Sequence, residues 1–111
     1  MPSKLGQLIR TTRTTQGVSL REFARRIEKS PAFVTQLECD DEIPAVSEDT
    51  LRTVAKELGL ESGTLFVLAQ RTPRDLVPRT DTEYALYRKV RTLSAARQRE
   101  LLDQLTDRGK E

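Results

Sequence analysis

Apolar residues recur along this chain at helical intervals, and the breaks between the runs mark out a succession of short helices. Leu5, Leu8 and Ile9 stripe a first helix from about Ser3 to Thr15, with Gly17 as its C-terminal stop. The TTRTT at its end is a poor helix former and has to be held by tertiary contacts. Leu20, Phe23, Ala24 and Ile27 stripe a second helix, which opens at Ser19 with Glu22 in the place a capping box wants its acid. Glu28 and Lys29 interrupt this pattern, Ser30 can cap again, and Pro31 stands where a first helical residue can lack its N–H. The third helix therefore starts at Pro31, with Val34 and Leu37 inward and Ala32, Phe33, Thr35 and Gln36 on its other faces. A small buried Ala24 lets these two helices cross closely and steeply, so that the third protrudes.

After the third helix comes the loop CDDEIPAV, where Pro44 prevents continuation. Ser47 then caps a fourth helix whose first turn holds Glu48 and Asp49, as the helix dipole favours. Leu51, Val54, Ala55 and Leu58 are its buried face, and Gly59 ends it. A fifth helix starts at Ser62 or Thr64 and runs through Leu65, Phe66, Leu68 and Ala69. Residues 71–80 contain two prolines and several turn formers, so this segment reads as a connector, with a short helical turn at most between Thr72 and Val77. Helical spacing resumes in residues 81–111. Tyr84, Tyr87 and Val90, with Leu86 and Leu93, stripe one helix; Leu101, Leu102 and Leu105 stripe the next. In a chain this short, such faces have only the domain's own surface or a second copy to cover them, and a dimerising helical hairpin is the expectation.

Residues 19–38, SLREFARRIEKSPAFVTQLE, together with the flanking IRTTRTTQGVSLREFARRI and PAVSEDTLRTVAKELGL, resemble the Cro/C1-type (XRE-like) helix-turn-helix family of phage and bacterial regulators. The resemblance covers roughly residues 4–70. It implies an all-α fold, a five-helix DNA-binding domain over residues 1–70 followed by the connector and a C-terminal helical extension. It also implies that Ala24 packs between the helices, that Val34 and Leu37 face the core, and that Glu38 closes the recognition helix, Pro31 to Glu38. Glu28 departs from the family, which often has Gly there; a positive φ at Glu28 costs about 1 kcal/mol.

By the same resemblance Pro31, Ala32, Thr35 and Gln36 face bases in the major groove. The Gln36 amide can bond adenine N6 and N7 together, Thr35 can bond a base or a phosphate, and Ala32 can meet a thymine methyl. Phe33 is expected against a thymine or the sugar-phosphate backbone. Arg10, Arg13, Arg21 and Lys29 are the candidate phosphate contacts, with Ser19 and Ser30 directing helix N-termini at the backbone. Tyr84, Tyr87, Val90, Leu93, Leu101, Leu102 and Leu105 are the candidate dimer contacts. The expected protein is a homodimeric repressor on a palindromic operator of double-stranded DNA, with half-sites about 34 Å apart. The competing reading is an antitoxin-type or protease-controlled regulator whose C-terminal helices chiefly bind a protein, the candidates being a toxin or a protease; RNA polymerase is the candidate partner for an acidic surface at Asp40, Asp41 and Glu42.

Charge sharpens this picture by its distribution. The net charge is only +2, yet residues 1–30 hold seven Lys or Arg against two acids, and residues 31–50 hold six acids and no base. One face is thus suited to phosphates and another to avoiding them, including the Asp40, Asp41 and Glu42 loop, which reads as solvated. A lone Cys39 excludes an intrachain disulfide, is expected to be semi-buried, and suits a reducing cytoplasm, with association to the nucleoid when bound. The longest apolar run, Leu65 to Ala69, is too short to cross a bilayer, so no membrane partner is expected. With no His, no Gly-rich phosphate loop and no paired carboxylates on rigid elements, the chain is not expected to be an enzyme or to need a metal or other cofactor.

Overall fold

The computed structural model describes residues 1–42 and 45–109, with side chains described through residue 106. Pro44, expected to stop the third helix, lies outside the described residues, as do residues 110 and 111 of the extension. Two compact units emerge, Met1–Asp75 and Leu76–Glu111. All regular structure among the described residues is helical.

In the first unit the helices are α1 (Lys4–Thr15), α2 (Leu20–Arg26), α3 (Pro31–Cys39), α4 (Glu48–Leu58) and α5 (Ser62–Leu68). Four of the five start on a hydroxyl: Ser3, Ser19, Ser30 and Ser47 accept from the backbone N–H three residues on, satisfying one orphan donor each. α5 opens at Glu61 without a side-chain cap. The endings are equally uniform. After α1, α2, α4 and α5 the chain turns through a left-handed residue, and the next N–H reaches back to the carbonyl five residues earlier. Gly17 and Gly59 take that conformation at no steric cost. Glu28 (φ 58°) and Gln70 (φ 55°) take it as well, so the positive φ anticipated at Glu28 is present.

The core is a single cluster of Leu5, Ile9, Phe23, Ala24, Ile27, Val34, Leu37, Val46, Leu51, Val54, Ala55, Leu58, Leu65, Phe66 and Ala69. α3 packs on both α1 and α2, and α4 packs on α5. The α1–α3 approach is set by Gly6, where a Cβ atom would lie 2.7 Å from the backbone oxygens of both Leu37 and Glu38. The Ser3 N–H donates to the Asp40 carbonyl (3.0 Å), tying the start of α1 to the end of α3. The first unit also runs five residues beyond the boundary expected at 70. The Arg71 guanidinium donates to the Val46 carbonyl, the Arg74 N–H donates to Glu48 (3.0 Å), and Asp75 lies 3.6 Å from Arg52. The short helical turn expected in the connector is a 3-10 turn at Arg74–Leu76.

The second unit contains α6 (Asp81–Thr92) and α7 (Ala95–Gly109). Thr80 caps α6 through the Glu83 N–H, and the Glu83 carboxylate accepts from the Arg79 N–H. Ser94 caps α7. The expectation of a hairpin needs correction at this point. Beyond the joint at Leu93 and Ser94 and a bond from the Gln98 amide to the Val90 carbonyl (2.8 Å), α6 and α7 do not pack along their lengths.

Candidate nucleic-acid interface

The outer face of α3 is built by what its inner face gives up to the core. Val34 and Leu37 are buried, which turns Pro31, Ala32, Thr35 and Gln36 outward, and all four are exposed. Ser30 fixes the first turn by accepting from the Phe33 N–H (3.1 Å), and Pro31 occupies the first helical position. The Thr35 hydroxyl donates to the Pro31 carbonyl (3.1 Å), so its hydrogen is engaged within the helix and its oxygen is left as an acceptor. Gln36 alone on this face has a side-chain amide with both donor and acceptor directed to solvent. Phe33 differs from its neighbours. It is half-buried, packs against the core cluster, and has the Lys29 ammonium 5.5 Å from its ring centroid. Its ring serves the base of the helix more than an approaching surface.

Among the expected phosphate contacts, Arg10, Arg21 and Lys29 are exposed, and the Ser19 and Ser30 hydroxyls cap α2 and α3. Arg13 is different and the expectation for it is corrected. Its side chain is buried, 8% exposed, and its guanidinium holds the Glu38 carboxylate bidentately, at 2.7 and 3.0 Å. A third donor goes to the Val18 carbonyl (2.7 Å) in the α1–α2 turn. The bond to Glu38 raises the Arg13 pKa, against the opposing effect of burial. Glu38, one residue before the end of α3 at Cys39, is 2% exposed and faces inward. The signal for this pair was in the spacing. Leu5, Ile9 and Arg13 fall on one line four residues apart, and Glu38 follows Val34 by four, so two opposite charges sit on core-facing stripes.

Glu22 also takes another role than the expected capping box. The Ser19 half is made, but the Glu22 carboxylate turns to Arg25 and Arg26, which lower its pKa from 4.5 to about 2 through their hydrogen bonds. Cys39, expected to be semi-buried, is exposed at the C-terminal end of α3, because the inward position there belongs to Glu38. Asp40, Asp41 and Glu42 are exposed.

The candidate assembly residues lie on α6 and α7. Tyr84, Leu102 and Leu105 are more than half exposed, at 57%, 55% and 59%, and Leu86 and Tyr87 are exposed beside them. Val90, Leu93 and Leu101 are half-buried. Leu76, Tyr87 and Val90 line one apolar hollow of the second unit, while Leu93 and Leu101 line another with Arg97, Glu100 and Gln104.

A crystal structure of the clp gene regulator ClgR from Corynebacterium glutamicum is 31% identical to this chain over 61% of its residues and 70% of its own, with a TM-score of 0.51. The chain belongs to the Cro/C1-type, XRE-like helix-turn-helix family of DNA-binding regulators. A second ClgR structure from the same organism agrees, at 31% identity, 61% of this chain, 86% of that one and a TM-score of 0.50. A structure of the SinR protein/SinI protein complex matches 96% of this chain and 99% of its own at a TM-score of 0.52; at 23% identity it bears on the fold alone. No family model matches the chain, and no curated protein sequence does. Among the described residues no helix is long and apolar enough to cross a membrane.

Proposed function

We propose that this family member is a homodimeric, sequence-specific repressor that lays α3 in the major groove of a palindromic operator in double-stranded DNA. The observation that carries the reading is the division of α3 into two faces. Val34, Leu37 and Glu38 hold it rigidly to α1 and α2, while Pro31, Ala32, Thr35 and Gln36 stand outward at the spacing a groove-reading helix needs. Gln36 is the principal reader, to adenine; Thr35 supplies an acceptor and Ala32 an apolar contact. Arg10, Arg21 and Lys29, with the N-termini of α2 and α3, hold the phosphates. Such a regulator would work in the cytoplasm on nucleoid DNA.

The exposed apolar residues of α6 and α7 supply the dimer contacts in this reading. They also support a second one, in which the C-terminal unit chiefly binds a protein such as a toxin or a protease. That a matched structure is of a complex between two different proteins, SinR and SinI, favours keeping it. Fluorescence anisotropy on duplexes selected from a random library, over a salt series, tests the DNA reading. The expectation is a steep salt dependence and a loss of about 1–3 kcal/mol of discrimination in Gln36→Ala. A flat salt dependence, or an unchanged Gln36→Ala variant, refutes it. Sedimentation of the chain alone separates the two readings of the tail: a dimer supports the first, a monomer the second.

A further inference from the structure

The helix-turn-helix unit carries no net charge. Residues 1–75 contain eleven Lys or Arg and eleven Asp or Glu, so the chain's +2 arises entirely after Asp75. Several cations of the first unit are also engaged locally: Arg13 with Glu38, Arg25 and Arg26 with Glu22, and Arg52 with Asp75. A protein that must approach a polyanion gains from positive charge elsewhere on its surface.

That charge is concentrated on one side of α6. Arg88, Lys89 and Arg91 are exposed, and none of them forms an ion pair among the described residues. Together with Ala85 and Thr92 they line an open depression. The helical repeat explains the grouping: Arg88 and Lys89 flank the line from Ala85 to Thr92, Arg91 falls beside Arg88, and Leu86 and Val90 point away from this side. The two acids of α6 are confined to its first turn, where Glu83 accepts from the Arg79 N–H. The last two turns therefore present three cations around two small side chains, a surface that a phosphate-bearing backbone can approach closely.

We propose that this basic face of α6 is a second phosphate-binding surface, which grips the DNA backbone without reading sequence. The inference rests on the DNA-binding reading of α3. Arginine forks at Arg88 and Arg91 can engage phosphate oxygens bidentately, and Lys89 adds a point charge. Leu86 and Val90, on the other side of the helix, remain available for assembly, whereas Tyr84 shares the stripe of Arg88 and Arg91. α3 supplies discrimination between sequences, and α6 supplies affinity common to all of them.

The test compares the full-length chain, the triple variant Arg88→Gln, Lys89→Gln, Arg91→Gln, and the charge-conserving Arg88→Lys, Arg91→Lys. Each is titrated against a library-selected duplex and a scrambled duplex of equal length from 50 to 300 mM salt. Concentrations are chosen at which all three sediment with the same mass. The slope of log affinity against log salt is expected to fall in the triple variant by roughly 0.9 for each phosphate no longer neutralised, so by about 2 to 3 per chain, equally on both duplexes. The ratio between duplexes is expected to stay as in the wild type, and the charge-conserving variant to keep the wild-type slope. A triple variant with an unchanged slope, while the wild type prefers the selected duplex, overturns this inference alone. An unchanged slope combined with abolished binding to a polyglutamate peptide also overturns it, in favour of an acidic protein partner. A wild-type chain with neither salt dependence nor preference overturns the DNA reading together with the inference.

Discussion

Removing Glu38 while leaving Arg13 in place should take away much of the first unit's stability. In Glu38→Ala the Arg13 guanidinium, 8% exposed, loses both bonds to the carboxylate and keeps only the one to the Val18 carbonyl. Truncating one partner of a buried pair leaves an uncompensated charge and costs about 3–5 kcal/mol. For a unit of this size each kcal/mol lowers the melting temperature by about 4–8 °C, so a fall of at least roughly 12 °C is expected. The single change Arg13→Met should cost a similar amount, since it orphans Glu38, which is 2% exposed. Replacing both, as Arg13→Met with Glu38→Met, should return most of the loss, because an apolar pair needs no hydrogen-bond partners. Urea denaturation of the wild type, Arg13→Met, Glu38→Met and the double variant, as a double-mutant cycle, measures the coupling. Single losses below about 1 kcal/mol, or a double variant whose loss equals the sum of the two, would refute the claim that these charges stabilise each other. The location gives the pair a further weight, because it joins α1 to the helix that carries Gln36.

Three further outcomes are expected. Gly6→Ala should destabilise by about 1–3 kcal/mol in urea, in spite of alanine's better helix propensity, because its methyl would meet the Leu37 and Glu38 carbonyls at 2.7 Å; a neutral or stabilised variant would show that the α1–α3 distance is not set there. Glu28→Gly should raise stability by up to about 1 kcal/mol by relieving the positive φ, and a lower melting temperature would contradict that. Glu22 binds fewer protons in the folded than in the unfolded chain between about pH 4.5 and its folded value of about 2, so its stabilising effect is complete above that window and disappears as pH falls through it. Glu22→Gln should accordingly show a shallower loss of stability in acid urea titrations, and an identical acid limb would count against the contact with Arg25 and Arg26.

Helix positions were legible wherever local chemistry decides them. The Ser caps, Pro31, Gly17, Gly59 and the apolar stripes concern residues within a turn of each other, and their reading agrees with α1 to α5 to within a residue or two. What needed the structure was partnership across elements. Arg13 falls on the core-facing line of Leu5 and Ile9, but its partner Glu38 is twenty-five residues away and comes beside it only through the packing of α3 on α1. The outward set Pro31, Ala32, Thr35 and Gln36 followed from the inward pair Val34 and Leu37, whereas the half-burial of Phe33 depended on the rest of the core. The end of the first unit was obscured in the same way, since Arg71, Arg74 and Asp75 contact Val46, Glu48 and Arg52 through a segment that reads locally as a linker.

The failure of α6 and α7 to close on each other has a consequence for the homodimer proposed above. In that proposal the exposed apolar residues of α6 and α7 are buried only when two chains meet, and encounters between like molecules rise with the square of concentration. On that proposal the tail would act as a counter of copies: few chains would leave it idle, and a modest rise in synthesis would engage it steeply. Regulation by such a molecule would take the form of a threshold, set by Tyr84, Tyr87, Leu102 and Leu105.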